Sequence, residues 1–167
     1  MNIESLSTKL FQKVLHQSWN SAADYASKEM FVLSTTLTPS LSTIRDWFDE
    51  MVHLFFNKSE LSAVSHWMVL GGNALKWGRT EGFAITQQEL LSTLVRKQRD
   101  YGHKNIAMFG RDGLLIRVHD KIARLENLVG KDVEAANEPI LDTVLDIAGY
   151  STIGMMLDRG EFLLELE

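Results

Sequence analysis

Two helical patterns in the C-terminal half constrain the fold of this chain more than any other feature. The first, at about 113–129, repeats apolar residues at the three- and four-residue spacing of an amphipathic helix. The second, at about 138–157, follows after a short polar connection. Such a connection lets two consecutive helices pack side by side in opposite directions. Because strand patterns are weak throughout, the sequence predicts an all-α fold, a helical bundle with antiparallel core helices.

The remainder of the chain also shows helical spacing. A capping box is predicted at Thr86, because Glu89 follows it three residues later and an apolar run comes next. Gly71–Gly72, together with the glycine-containing stretch after it, predicts a break between helices. We therefore divide the chain into an N-terminal helical region of unknown role, 1–80, and a second helical domain, 81–167. Further helices are predicted at about 3–15, 20–33 and 41–55.

Composition excludes several classes of function. The net charge of −5 argues against a dedicated nucleic-acid surface, although it permits a local basic pocket. The absence of cysteine excludes disulfides and thiolate metal sites. The sequence contains no run of about 18 apolar residues, so we expect no membrane span. The first residues do not resemble a signal peptide. We expect a cytoplasmic protein.

A stripe of carboxylates runs along the second core helix. Glu138, Asp142 and Asp146 follow one another at four-residue intervals, which places them on one helix face beside aliphatic residues. Asp120 of the first core helix can face them. Carboxylates that are partly buried need protons, bases or a metal, and oxygen ligands suit Mg²⁺ or Mn²⁺. The stripe therefore predicts a magnesium site, whereas the alternative is an ion-pair network with basic residues of the first core helix, Lys121 and Arg124.

Basic side chains accompany the acids. Arg117, Lys121 and Arg124 lie at the edge of the apolar stripe of the first core helix, where a cleft wall would be. They are candidate phosphate ligands, and the alternative is a solvated face with a surface pair between Asp120 and Arg124. A second candidate group, His103, Lys104 and Asn105, follows a glycine turn and favours contact with a base or phosphate.

The strings RDYGHKN, GLLIRVHDKIARLENL and EPILDTVLDIAGY resemble the nucleotide-modification-associated domain of phages and bacteria, over about 90–157. More distantly, the two helices are similar to the all-α nucleoside triphosphate pyrophosphatases of the MazG and dimeric dUTPase group. That group holds Mg²⁺ with a Glu-x-x-Glu helix and a Glu-x-x-Asp helix. In this alignment Asp146 and Asp120 take acidic positions, whereas Arg117 and Thr143 stand where glutamates would be.

Two functions follow as predictions. The first is Mg²⁺-dependent hydrolysis of a (deoxy)nucleoside triphosphate to monophosphate and pyrophosphate, with Mn²⁺ as a possible substitute. Asp120, Asp142 and Asp146 would be catalytic, the same three and Glu138 would hold the metal, and the basic residues with His103 and Asn105 would bind substrate. The second is a non-catalytic module of a DNA-modification system, which binds a nucleotide or a partner protein. The wide apolar surface of the two helices further predicts a homodimer.

Overall fold

A computed structural model describes residues 17–57, 63–130 and 137–167. These residues form an all-helical bundle without strands, which confirms the predicted fold class. The predicted helix at 3–15 lies outside the described residues. Seven helices occur in the described ranges: α1 (Trp19–Ser34), α2 (Leu41–Asn57), α3 (Val64–Thr80), α4 (Gln87–Tyr101), α5 (Lys104–Ala107), α6 (Gly110–Val129) and α7 (Asn137–Asp158).

Local sequence explains where several helices begin. The Thr86 side chain accepts a hydrogen bond from the Glu89 backbone amide, and the Glu89 side chain accepts one from Thr86 N–H, so the predicted capping box is confirmed. Ser18 caps α1 in the same way, through the amide of Ser21. These side chains satisfy backbone N–H groups that the first turn of a helix leaves without partners. From this start, α4 runs along α1 and α7.

The two core helices pack antiparallel, as predicted from the connection between them. The first begins three residues earlier than expected, at Gly110. Its stripe of Leu114, Val118, Ile122 and Leu125 is buried. The largest helix contact, however, is between α3 and α7. Residues on both sides of the proposed division at 80/81 therefore contribute to one hydrophobic core.

The predicted break at Gly71–Gly72 is wrong, because both glycines lie inside α3 and are buried. A Cβ atom at Gly71 would overlap the Met30 side chain of α1 and lie 2.9 Å from the Cβ of Ser151 in α7. The glycines therefore allow three helices to approach closely. Glycine in a helix interior costs about 0.5–1 kcal/mol relative to alanine, and the close packing compensates for this cost.

Among the described residues, α7 is the one helix long and apolar enough to cross a membrane, and 56% of its most apolar window is buried within the fold. A core helix of a soluble protein also passes this test of length and hydropathy.

Gly154 provides a test of this packing. A Cβ atom there would overlap the indole ring of Trp67, which is fully buried in α3. We expect Gly154→Ala to lower the free energy of unfolding by about 1–3 kcal/mol, because a packed core resists added volume. Gly130→Ala is the control, since its Cβ would lie an ordinary 3.6 Å from the Glu126 carbonyl oxygen. Urea denaturation measures both variants, and wild-type stability in Gly154→Ala would contradict the close contact.

Candidate functional site

A cleft with a cavity volume of about 290 Å³ lies between α4, α5, α6 and α7. Its apolar part is formed by leucine and isoleucine side chains of α4, α5 and α7 and by Gly149, whose missing side chain leaves space between α4 and α7. Nine residues with polar groups complete the lining: Thr93, Lys97, Gln98, Tyr101, Asn105, Arg117, Lys121, Asp146 and Tyr150. A concave pocket in which polar groups converge beside apolar surface is a candidate small-molecule site.

The centre of the cleft is an ion-pair network around Asp146. Lys97 Nζ of α4 donates to Asp146 Oδ1 at 2.7 Å, and Lys121 Nζ of α6 lies 2.8 Å from Oδ2. The Asp146 side chain is 16% exposed, whereas those of Lys97 and Lys121 are 45% and 27% exposed. Burial by itself would raise the pKa of Asp146, but the hydrogen bonds from Lys121 and Lys97 outweigh burial and hold this pKa below its ordinary value. The carboxylate is therefore ionised at neutral pH.

The cleft is more basic than the protein as a whole. Lys97, Arg117 and Lys121 line it together with one carboxylate, that of Asp146, which gives the lining a formal charge of +2. The whole chain, by contrast, carries a formal net charge of −5. A concave surface of one charge sign concentrates ligands of the opposite sign. The cleft therefore attracts a small anion.

Two side-chain amides, those of Gln98 and Asn105, line the cleft. Gln98 is only 7% exposed, and its Nε2 lies 2.6 Å from Nδ1 of His103. The His103 ring in turn packs edge-on against Phe162, with centroids 5.5 Å apart. Asn105 Oδ1 is buried and has no hydrogen-bond partner among the described residues. A buried acceptor without a donor costs about 1–3 kcal/mol.

Four of the predicted site residues line the cleft: Asn105, Arg117, Lys121 and Asp146. His103 does not line the cleft, but it contacts Gln98, which does. The other predicted residues are exposed and do not line the cleft: Lys104, Asp120, Arg124, Glu138 and Asp142. The structure thus brings together one predicted acid and two predicted bases.

The acidic residues do not converge. Asp120 lies on the exposed side of α6, with a side chain that is 76% exposed and 3.9 Å from the ring of His119. The next residue, Lys121, faces Asp146 instead, because it lies nearer the buried stripe of α6. Within the described ranges, no three acidic or histidine side chains come close enough to hold a cation. Both Asp146 oxygens already contact ammonium groups, so the geometry fits a resident cation poorly.

Five of the nine polar lining residues were not predicted: Thr93, Lys97, Gln98, Tyr101 and Tyr150. One signal could have found Gln98. It continues the four-residue spacing of Leu90 and Leu94, so it is a polar residue on the core-facing side of a helix. No local signal marks Lys97, because its partner lies 49 residues away in the sequence.

No family model matches this chain, and comparisons with characterised proteins and with solved structures found no similar protein. The resemblance to the nucleotide-modification-associated domain therefore stays a prediction.

Asp146→Asn tests the ion-pair network. Because this substitution leaves two partly buried lysines without a counter-charge, we expect it to lower the free energy of unfolding by about 1–3 kcal/mol at pH 7. The lowered pKa makes the carboxylate stabilising above the ordinary value of 3.8, and this contribution is lost as the pH falls through the lower folded-state pKa. The difference between wild type and variant should therefore shrink in acid.

Asp142→Asn is the matched control, since Asp142 is an exposed aspartate one turn earlier on the same helix. Urea denaturation at pH 7 and at about pH 3 measures all three proteins. Equal losses in the two variants, or a difference independent of pH, would contradict a specific role of Asp146.

Proposed function

We propose that the cleft binds a nucleotide, with the phosphates held by Lys97, Lys121 and Arg117. The observation that supports this most is the convergence of two lysines, from different helices, on one carboxylate inside a cleft. Each ammonium group has three donors, and Asp146 accepts only one from each lysine. The remaining donors are available to phosphate oxygens. Asp146 holds the lysines in place before the ligand arrives, which reduces the entropy that binding must overcome.

The rest of the lining suits the nucleoside part of such a ligand. Tyr101 is 68% exposed although it lines the cleft, so its ring offers a surface on which a base can stack. Gln98 and Asn105 offer amide groups that can hydrogen-bond to the edge of a base. The volume of about 290 Å³ is near the lower end of small-molecule pockets. Such a cleft suits a mononucleotide whose phosphates extend toward solvent.

Hydrolysis of a (deoxy)nucleoside triphosphate to monophosphate and pyrophosphate is the second candidate function. It is favoured by the position of an ionised carboxylate, Asp146, among the cations that would hold the phosphates. Mg²⁺ would arrive as part of the substrate, since this ion is usually bound by one or two carboxylates and by substrate phosphates. The exposed Asp142, one turn earlier, is the next available carboxylate on α7.

Calorimetric titration with each nucleoside triphosphate, with and without Mg²⁺, tests binding. We expect Lys121→Met to weaken binding about tenfold or more, because charge-assisted hydrogen bonds to phosphate are strong. Lys28→Met is the control, because Lys28 pairs with Asp24 on the surface of α1 and does not line the cleft. The proposal is wrong if wild-type protein binds neither nucleotides nor inorganic pyrophosphate, or if both variants bind as the wild type does.

The same samples separate the two candidate functions. Hydrolysis predicts that monophosphate and pyrophosphate accumulate when Mg²⁺ is present, and that Asp146→Asn abolishes both products. Binding without either product, at nucleotide concentrations that saturate the protein, identifies a non-catalytic module. Chromatography of the nucleotides and an assay for pyrophosphate give this answer directly.

A further inference from the structure

The contact between Gln98 and His103 fixes which end of the Gln98 amide is left for a ligand. An amide nitrogen can only donate hydrogen bonds, so Gln98 Nε2 donates to His103 Nδ1 across 2.6 Å. Nδ1 must then be unprotonated, which places the hydrogen of the neutral imidazole on Nε2. His103 is held by its contact with the Phe162 ring on the C-terminal segment. The histidine thus acts as a fixed acceptor for the amide nitrogen.

The opposite end of the amide is its carbonyl oxygen. Gln98 lines the cleft, whereas His103 does not. Because His103 engages the amide nitrogen, the carbonyl oxygen is the end of the amide that is left for a ligand. Among the described residues this oxygen has no donor, yet it is not sealed from solvent in the way that Asn105 Oδ1 is. An accessible acceptor inside a cleft has water as its partner until a ligand supplies an N–H or O–H group.

We propose that Gln98 is a specificity-determining residue that selects nucleobases with an exocyclic amino group, and that His103 is the positioning residue that sets this preference. The inference rests on the proposed nucleotide site. Adenine and cytosine present an amino donor where hypoxanthine and uracil present a carbonyl acceptor. A fixed carbonyl oxygen in the protein accepts a hydrogen bond from the amino group. It forms no hydrogen bond with a keto oxygen, because both atoms are acceptors.

The experiment compares two pairs of nucleotides that differ at this one position, CTP against UTP and ATP against ITP, by calorimetric titration. We expect wild-type protein to bind the amino member of each pair about tenfold more tightly, the effect of one matched hydrogen bond against one mismatched contact. Lys121→Met should weaken both members equally and leave the ratio unchanged, because phosphate contacts do not distinguish the bases.

His103→Phe keeps an aromatic ring against Phe162 but removes the acceptor that orients the amide. Without that acceptor the Gln98 amide can turn to present either end, so the amino-to-keto ratio should fall toward one. A purely structural role would instead weaken both members together. Nitrogen-15 spectra of wild-type His103 add a readout that needs no variant: the proposal requires an unprotonated Nδ1 and a protonated Nε2 at neutral pH.

Three results would overturn the proposal: equal binding of the paired nucleotides, an unchanged ratio in His103→Phe, or a hydrogen on Nδ1 of wild-type His103. Each of these can occur while nucleotides still bind, so it leaves the proposed function intact. Failure of every nucleotide and of inorganic pyrophosphate to bind overturns the proposed function and this inference together.

Discussion

The close packing of α7 against its neighbours is the constraint on which the rest of the structure depends. This helix contacts α1, α3, α4 and α6, and it can do so because small residues lie where the neighbours approach. Gly154 leaves room for Trp67 of α3, and Gly149 would place a Cβ only 3.3 Å from Leu94 of α4. Densely packed side chains transmit strain, so a change at one contact affects the others. The position of α7 thereby sets the width of the cleft.

An ionised carboxylate on a central helix needs positive groups close to it. Asp146 is surrounded by packed helices, and an ionised carboxylate in that environment is costly unless cations compensate it. Lys97 and Lys121 supply that compensation from two different helices, and the long stems of both lysines reach from the helix surface into the cleft. The fold and the candidate site are therefore coupled, because the same ion pairs that stabilise three helices also gather positive charge in the cleft.

The sequence predicted part of this site. Lys121 and Arg117 were predicted from their position beside the apolar stripe of α6, and both line the cleft. The pairing of Asp146 with Lys121 was one of the alternatives, but its second base is Lys97 and not Arg124. The remaining acids of the predicted cluster share a helical face with Asp146 only approximately. Toward the N-terminal end of α7 that face turns outward, so the side chains of Asp142 and Glu138 are exposed.

By itself, the sequence determined the helices, since their apolar periodicity and the capping box at Thr86 are local properties that each segment carries wherever it packs. It also determined that α6 and α7 would pair, because the connection between them is short. Only the tertiary structure decided that Gly71–Gly72 continue a helix, because the reason lies in side chains of α1 and α7. It likewise decided which base meets Asp146. An ion pair depends on the distance between two charges in space, and residues 49 apart in the chain have no local pattern that records it.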